Sequence, residues 1–166
     1  IRILEQRRVE GVILMGSMFA TEQIKEAIQR HLSKVPVVIV NGYLDLPNVS
    51  GVLNDEDAGV GKCADLLNSK GKKKLAFVLD QPSPANLRKQ QGFCDAVLRH
   101  GASREDLLLY EAEESSVQGG YDVTVRILRE HPDVQGIIYS IDLVAVGGIR
   151  AAHDLGVNVP EQLGII

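Results

Sequence analysis

The sequence predicts an α/β fold of doubly wound parallel sheets, divided into two lobes. Three observations carry that reading. Short apolar runs recur without polar alternation, as in residues 11–15 (GVILM), 37–40 (VVIV), 75–79 (LAFVL) and 136–139 (GIIY). Such runs mark parallel strands covered on both faces. Amphipathic stretches of helical length separate most of them, at ~30 residues per strand–helix unit, the rhythm of right-handed βαβ crossovers. One connection breaks the rhythm: residues 41–50 (NGYLDLPNVS) are polar, carry Pro47 and join two strand candidates with no helix between. A linker leaving one sheet for another would look like this.

The chain opens at Ile1 with a helical stretch already running (IRILEQRRVEG). Strand candidates follow at residues 11–15, 37–40, 51–53, 75–79, 107–110, 136–139 and 163–166. Helices are expected over 21–32, where Ile24, Ala27, Ile28 and Leu32 form one stripe, and over 57–68, stopped by Gly71. Further helices are expected over 85–100, ending at Gly101, over 117–130, ending before Pro132, and over 143–155, ending at Gly156. The lobes are expected to divide at 1–50 and 51–166. The last residues, Leu163 to Ile166, read as a strand with nothing after it, so the chain is expected to be an internal piece of a longer protein.

Composition narrows the function classes. The 166 residues carry a net charge of −4, against the clustered basic surface that holding a nucleic-acid backbone requires. The longest basic run, Lys72-Lys73-Lys74, lies between a helix end and a strand and reads as a solvated loop. No apolar run approaches the ~20 residues of a membrane helix. Cys63 and Cys94 fall in separate helices, without zinc-ligand spacing, and read as reduced, partly buried thiols. His31, His100, His131 and His153 lack an i, i+4 His or Cys partner, so no metal site is expected. There is no Gly-x-Ser-x-Gly elbow and no Walker-type phosphate loop, and no catalytic residue or cofactor is assigned.

Ligands of open α/β sheets sit beyond the carboxyl ends of the strands. Arg88 and Lys89 lie in the first turns of the helix after residues 75–79, and either contact a ligand or stand on a solvated helix face. One helical step rotates a side chain by ~100°, so the two do not share a direction.

Taken together, several stretches resemble the effector-binding core of the lac repressor-like (LacI/GalR) transcription regulators. They include Arg8-Val9-Glu10-Gly11-Val12-Ile13-Leu14, Val35-Pro36 through Val40, Val52-Leu53-Asn54-Asp55 and Gly92-Phe93-Cys94-Asp95-Ala96. Gly120-Tyr121, Ser140-Ile141-Asp142-Leu143-Val144-Ala145-Val146-Gly147 and Val159-Pro160-Glu161 follow in the same order. The resemblance implies a type I periplasmic-binding-protein-like core of two lobes, cytoplasmic, homodimeric and not an enzyme. Such a core binds a sugar or nucleobase-like effector in an inter-lobe cleft and alters operator binding by hinge closure. It implies a DNA-binding headpiece outside this chain, a first lobe lacking its central strand, and a nearly complete second lobe. The alternative is a periplasmic sugar-binding protein of a transport system, which shares the fold.

By that resemblance Ser17, Asn41, Asp55, Lys89 and Asp142 take ligand-contacting positions. Lys89 stands where the family places an Arg, with Arg88 one step earlier. For Ser17, Asp55 and Asp142 the competing role is helix capping. For Asn41 it is an Asx-turn before Gly42. Ile141 occupies a position where the family commonly has a ligand-binding Asn. Ser115 and Ser116 either line the cleft or belong to a solvated loop.

Overall fold

A computed structural model describes all residues 1–166 and divides the chain into two compact units. The first comprises Ile1–Asp55 with Ser83–Ala85, and the second comprises Glu56–Pro82 with Asn86–Ile166.

In the first unit, α1 (Arg2–Gln6) leads into β1 (Val12–Met15), α2 (Glu22–His31), β2 (Val37–Val40) and β3 (Val49–Val52). Thr21 caps α2 by accepting the amide N–H of Ile24, and Arg30 and His31 sit favourably at its carboxyl end. The three strands form one parallel sheet in the order β1-β2-β3, with Met15 beside Val40 and Val40 beside Val52.

The expected boundary at 50/51 falls inside β3, which pairs with β2 rather than entering the second sheet. Residues 41–48 are therefore a helix-free parallel crossover and not a linker. Two interactions explain how so short a loop makes the return. Leu44 and Leu46 fold into the core with Ile28, Val37 and Ile39. The Asn48 amide donates to the carbonyls of Leu32 and Val35 at 2.8 and 2.7 Å, tying the crossover to the turn that follows α2.

Helices cover only one face of this sheet. Val12, Val37, Ile39 and Val49 point into the core, while Ile13 and Met15 on the other face of β1 are 70% and 73% exposed. Parallel sheets are usually covered on both faces, and the β1 side chains on this face stand open.

The second unit is doubly wound. Its strands β4 (Leu75–Leu79), β5 (Leu108–Glu111), β6 (Gly136–Tyr139) and β7 (Gly164–Ile165) are all parallel, in the order β5-β4-β6-β7. Between them run α3 (Glu56–Ser69), α4 (Pro84–Arg99), α5 (Val117–Glu130) and α6 (Asp142–Asp154). Alternate residues of β4 serve opposite faces. Leu75, Phe77 and Leu79 pack with Ala64, Leu67, Phe93 and Val97 of α3 and α4. Ala76 and Val78 pack with Val123, Ile127, Val144 and Ala152 of α5 and α6. All five β4 residues are buried, which explains the unbroken LAFVL run.

The burial beneath the α5–α6 pair includes one polar couple. Thr124 donates to the Gly120 carbonyl at 2.6 Å and lies 2.7 Å from the Tyr139 hydroxyl. Burial pushes the Tyr139 phenol well above its usual range, with the Thr124 contact opposing. Cys63 and Cys94 are free and half-buried, and burial raises both thiols. No helix is long and apolar enough to cross a membrane.

Candidate functional site

Apart from Thr124 within α5, the polar residues that the second unit buries collect at the carboxyl end of its sheet. Asp80 follows β4 directly, Ser140 follows β6, and Asn86 lies in the first turn of α4, with exposures of 6%, 5% and 7%. Asp80 is the acceptor that joins them. Its Oδ1 takes hydrogen bonds from the Asn86 amide and the Ser140 hydroxyl, both at 2.7 Å. Its Oδ2 takes one from Ser115, in the loop after β5, at 2.9 Å. The Asp80 amide N–H donates back to Ser140 Oγ at 2.9 Å, and Asn86 also donates to the Gln81 carbonyl at 2.9 Å. A carboxylate holding three side-chain donors is satisfied without a counter-ion and locks three loops into one geometry.

A cation stands next to this lattice. The Lys89 ammonium donates to the Ser140 carbonyl at 2.9 Å and lies 3.7 Å from Glu56 Oε2 at the start of α3. Both side chains are largely shielded, at 21% and 11% exposure. The pair therefore presents one fixed cation and one fixed carboxylate beside hydroxyl and amide groups. Hydroxyl-rich molecules are recognised by such an alternation of donors and acceptors. Among His, Cys, Asp and Glu there is no group of three or more placed to hold a metal ion.

The first unit carries a smaller polar set at the corresponding ends of β1 and β2. Ser17 opens a short 3-10 helix, Ser17–Phe19, just beyond β1, and is half-buried. Asn41 ends β2 in the left-handed region, with φ of 63°, and its amide N–H donates to Val52 at 2.7 Å. Its Oδ1 is buried without a hydrogen-bond donor. The two loops touch: a Cβ on Gly42 would stand 3.0 Å from Ile39, 3.1 Å from Ala20 and 3.8 Å from Ser17 Cα.

The other sequence candidates take distinct positions. Asp55 is exposed and immediately precedes α3. Asp142 is exposed and is the first residue of α6. Ile141 is the N-cap and makes no side-chain cap bond, so Asp142 does not cap the helix but lies favourably in the first turn of its dipole. Ser116 caps α5 by accepting the Gly119 amide N–H at 3.0 Å, whereas its neighbour Ser115 turns to Asp80. Lys89 joins the buried lattice, while Arg88, one step earlier, is half-buried and joins no ion pair.

Asp80, Asn86, Ser140 and Glu56 are not evident from the sequence, since Asp80 and Ser140 are 60 positions apart. The available signal is a polar residue closing a fully apolar strand, as Asp80 closes LAFVL and Ser140 closes GIIY.

Residues 1–166 match the family model described as periplasmic binding proteins and sugar binding domain of LacI family. The chain belongs to this family. A curated relative, an HTH-type transcriptional regulator of Lachnoclostridium phytofermentans, is 23% identical over 168 residues, covering all of this chain and 50% of the relative. Catabolite control protein A of Staphylococcus xylosus is 29% identical, covering 98% of the chain and 48% of that protein. The chain thus spans about half the length of the curated relatives it matches. A solved LacI-family regulator from Burkholderia phymatum superposes with a TM-score of 0.84 at 28% identity, covering 99% of this chain and 59% of that one. A LacI-family regulator from Enterococcus faecium, solved with bound ribose, gives 0.82 at 25% identity, covering 99% and 60%. The α/β fold of parallel sheets is that of LacI-family regulators, and such relatives are transcription regulators rather than enzymes.

Proposed function

We propose that this chain is the effector-sensing core of a bacterial transcription regulator and that its effector is a sugar. The Lys89–Glu56 pair beside the buried Asp80–Asn86–Ser140 lattice supports this most strongly, because the lattice fixes the loops at the carboxyl ends of the strands and the pair sets one cation and one carboxylate there. The ribose-bound E. faecium relative supports the ligand class. In this reading Lys89 is the principal cation of the site. Arg88 is peripheral to it. Ser17, Asn41, Asp55 and Asp142 add contacts at the strand and helix ends. The Asn41 amide oxygen, buried without a donor, finds one in a ligand hydroxyl.

The proposed mechanism is hinge closure. A sugar that bonds to both lobes only when they are closed shifts the population toward that state by its differential affinity. Operator DNA would be reached in the cytoplasm through a DNA-binding segment outside these residues. The sequence names of relatives as HTH-type regulators favour this over transport. A thermal-shift panel of pentoses and hexoses tests the ligand class. A sugar at a hundredfold excess over its Kd adds about 2.7 kcal/mol to stability, an upward shift of several degrees. Lys89→Gln is expected to weaken that sugar at least about tenfold, the loss of one charge-assisted hydrogen bond. If no sugar moves the transition, the ligand class is wrong.

We also propose a homodimer, through the outer face of α6. Leu143, Val146 and Ile149 stand there at 48%, 52% and 50% exposure. A stripe of large apolar residues at helical spacing is unusual on a free surface. Val146→Glu should convert a dimer in sedimentation velocity to a monomer without lowering the unfolding midpoint of the monomer. A wild-type monomer at micromolar concentration would remove the proposal.

A further inference from the structure

We propose a second small-molecule site in the second unit, at the opposite end of the sheet from Asp80, for an apolar molecule bearing one carboxylate. A cavity of 530 Å³ opens beside Leu75, the first residue of β4. Asp80 lies five residues along that strand, about 17 Å away at the rise of a β-strand, so this cavity is separate from the polar lattice. Its volume falls in the range of small-molecule sites.

The floor is apolar. Leu75 and Val97 line it, at 3% and 5% exposure, and Ala102 adjoins them. The rim is charged, and its hydrogen bonds determine which charge is left for a ligand. The Lys74 ammonium is held by both oxygens of Asp133, at 2.7 and 2.8 Å. The Lys73 ammonium donates only to Asn68 Oδ1, at 2.8 Å, and faces no carboxylate.

That bond also fixes the neighbouring histidine. An ammonium can only donate, so Asn68 must turn its oxygen to Lys73 and its NH2 to His100 Nδ1, 3.1 Å away. Nδ1 is thereby an acceptor, and Nε2 carries the proton that goes to Asp65 at 2.6 Å. His100 is paired with Asp65, and Lys73 is the cavity's one cation that faces no carboxylate.

A ligand matching this arrangement sets a ring or branched chain on Leu75, Val97 and Ala102 and a carboxylate on Lys73. Asp133 and Asp106 on the same rim repel a second negative charge, which disfavours a phosphate dianion.

Benzoate is a suitable probe, followed by amide chemical shifts of the protein. Saturable shifts are expected at Lys73, Gly101 and Ala102. Lys73→Gln, an exposed substitution remote from the core, should weaken benzoate about fivefold, as expected for a partly solvated ion pair. Benzamide, the neutral isostere, should be weakened similarly, and inorganic phosphate should give no saturable shifts at these amides. The proposal is overturned if benzoate leaves the three amides unmoved. Undiminished binding to the Lys73→Gln variant, or phosphate binding as tightly as benzoate, overturns it equally. The sugar reading is unaffected by either result, because its residues lie at the other end of β4.

Discussion

Gly120→Ala is expected to destabilise the second unit by about 3 kcal/mol or more, and Gly147→Ala by as much. Ordinary overpacking costs about 1–3 kcal/mol because side chains can shift. Here the obstacle is backbone. A Cβ on Gly120 would lie 2.0 Å from the Val144 carbonyl oxygen, and one on Gly147 would lie 2.0 Å from that of Val117. Helices α5 and α6 thus cross with main chain against main chain, and only separation of the helices relieves the clash. Separation would unseat Val123, Ile127, Val144 and Ala152 from the core over β6. It would also move the loop that brings Ser115 to Asp80. Urea unfolding measures the loss. Gly59→Ala supplies the opposite sign: nothing lies within 4 Å of its Cβ, in the interior of α3. That substitution should gain about 0.5–1 kcal/mol from reduced chain entropy.

Asp80→Ala is expected to cost about 3 kcal/mol and to abolish effector binding. Removing the carboxylate leaves the Asn86 amide and the Ser140 hydroxyl without their shared acceptor in a site nearly closed to water. Each buried donor hydrogen that loses its acceptor in this way costs about 1–3 kcal/mol, although Asn86 keeps the Gln81 carbonyl and Ser140 Oγ keeps the main-chain N–H of Asp80. The Ser115 hydroxyl, which is exposed, is rehydrated at little cost. Asp80→Asn distinguishes charge from shape. Its single carbonyl can accept from two donors, but its NH2 would face a third, so part of the loss should persist. Ser115→Ala should cost under about 1 kcal/mol. A chemical-denaturation series over these variants checks the order. An Asp80→Ala protein as stable as Ser115→Ala would refute the assignment of Asp80 as the joining acceptor.

The parts of the fold legible in the sequence are those fixed by local pattern. Phe77 and Val78 alternate between two buried faces, so LAFVL announces a central parallel strand before its neighbours are known. The helices ending near Gly71, Gly101 and Gly156 are marked by glycines that do adopt positive φ, at 81°, 95° and 69°. The crossover at 41–48 is not legible, because its direction depends on Leu44 and Leu46 finding a core assembled from α2 and β2. Asn48, which secures it, bonds to carbonyls 13 and 16 positions away. The candidate site divides in the same way. Lys89 is visible as a cation near a helix start, but its partner Glu56 is 33 positions earlier, and Ser140 is 51 later. Asp142 shows the limit of reading a helix start from residue type. An Asp at the first helical position serves the dipole, while the cap itself is Ile141.

In the proposed reading the carboxyl-end polar groups form a sugar site with Lys89 as its cation. The most direct test is amide chemical-shift mapping with the sugar that gives the largest thermal shift. Saturable perturbations are expected at Asp80, Asn86, Lys89, Ser115 and Ser140 together with Ser17 and Asn41, all lost in Lys89→Gln at the same sugar concentration. Perturbations that bypass these residues, or that persist unchanged in the variant, would contradict it.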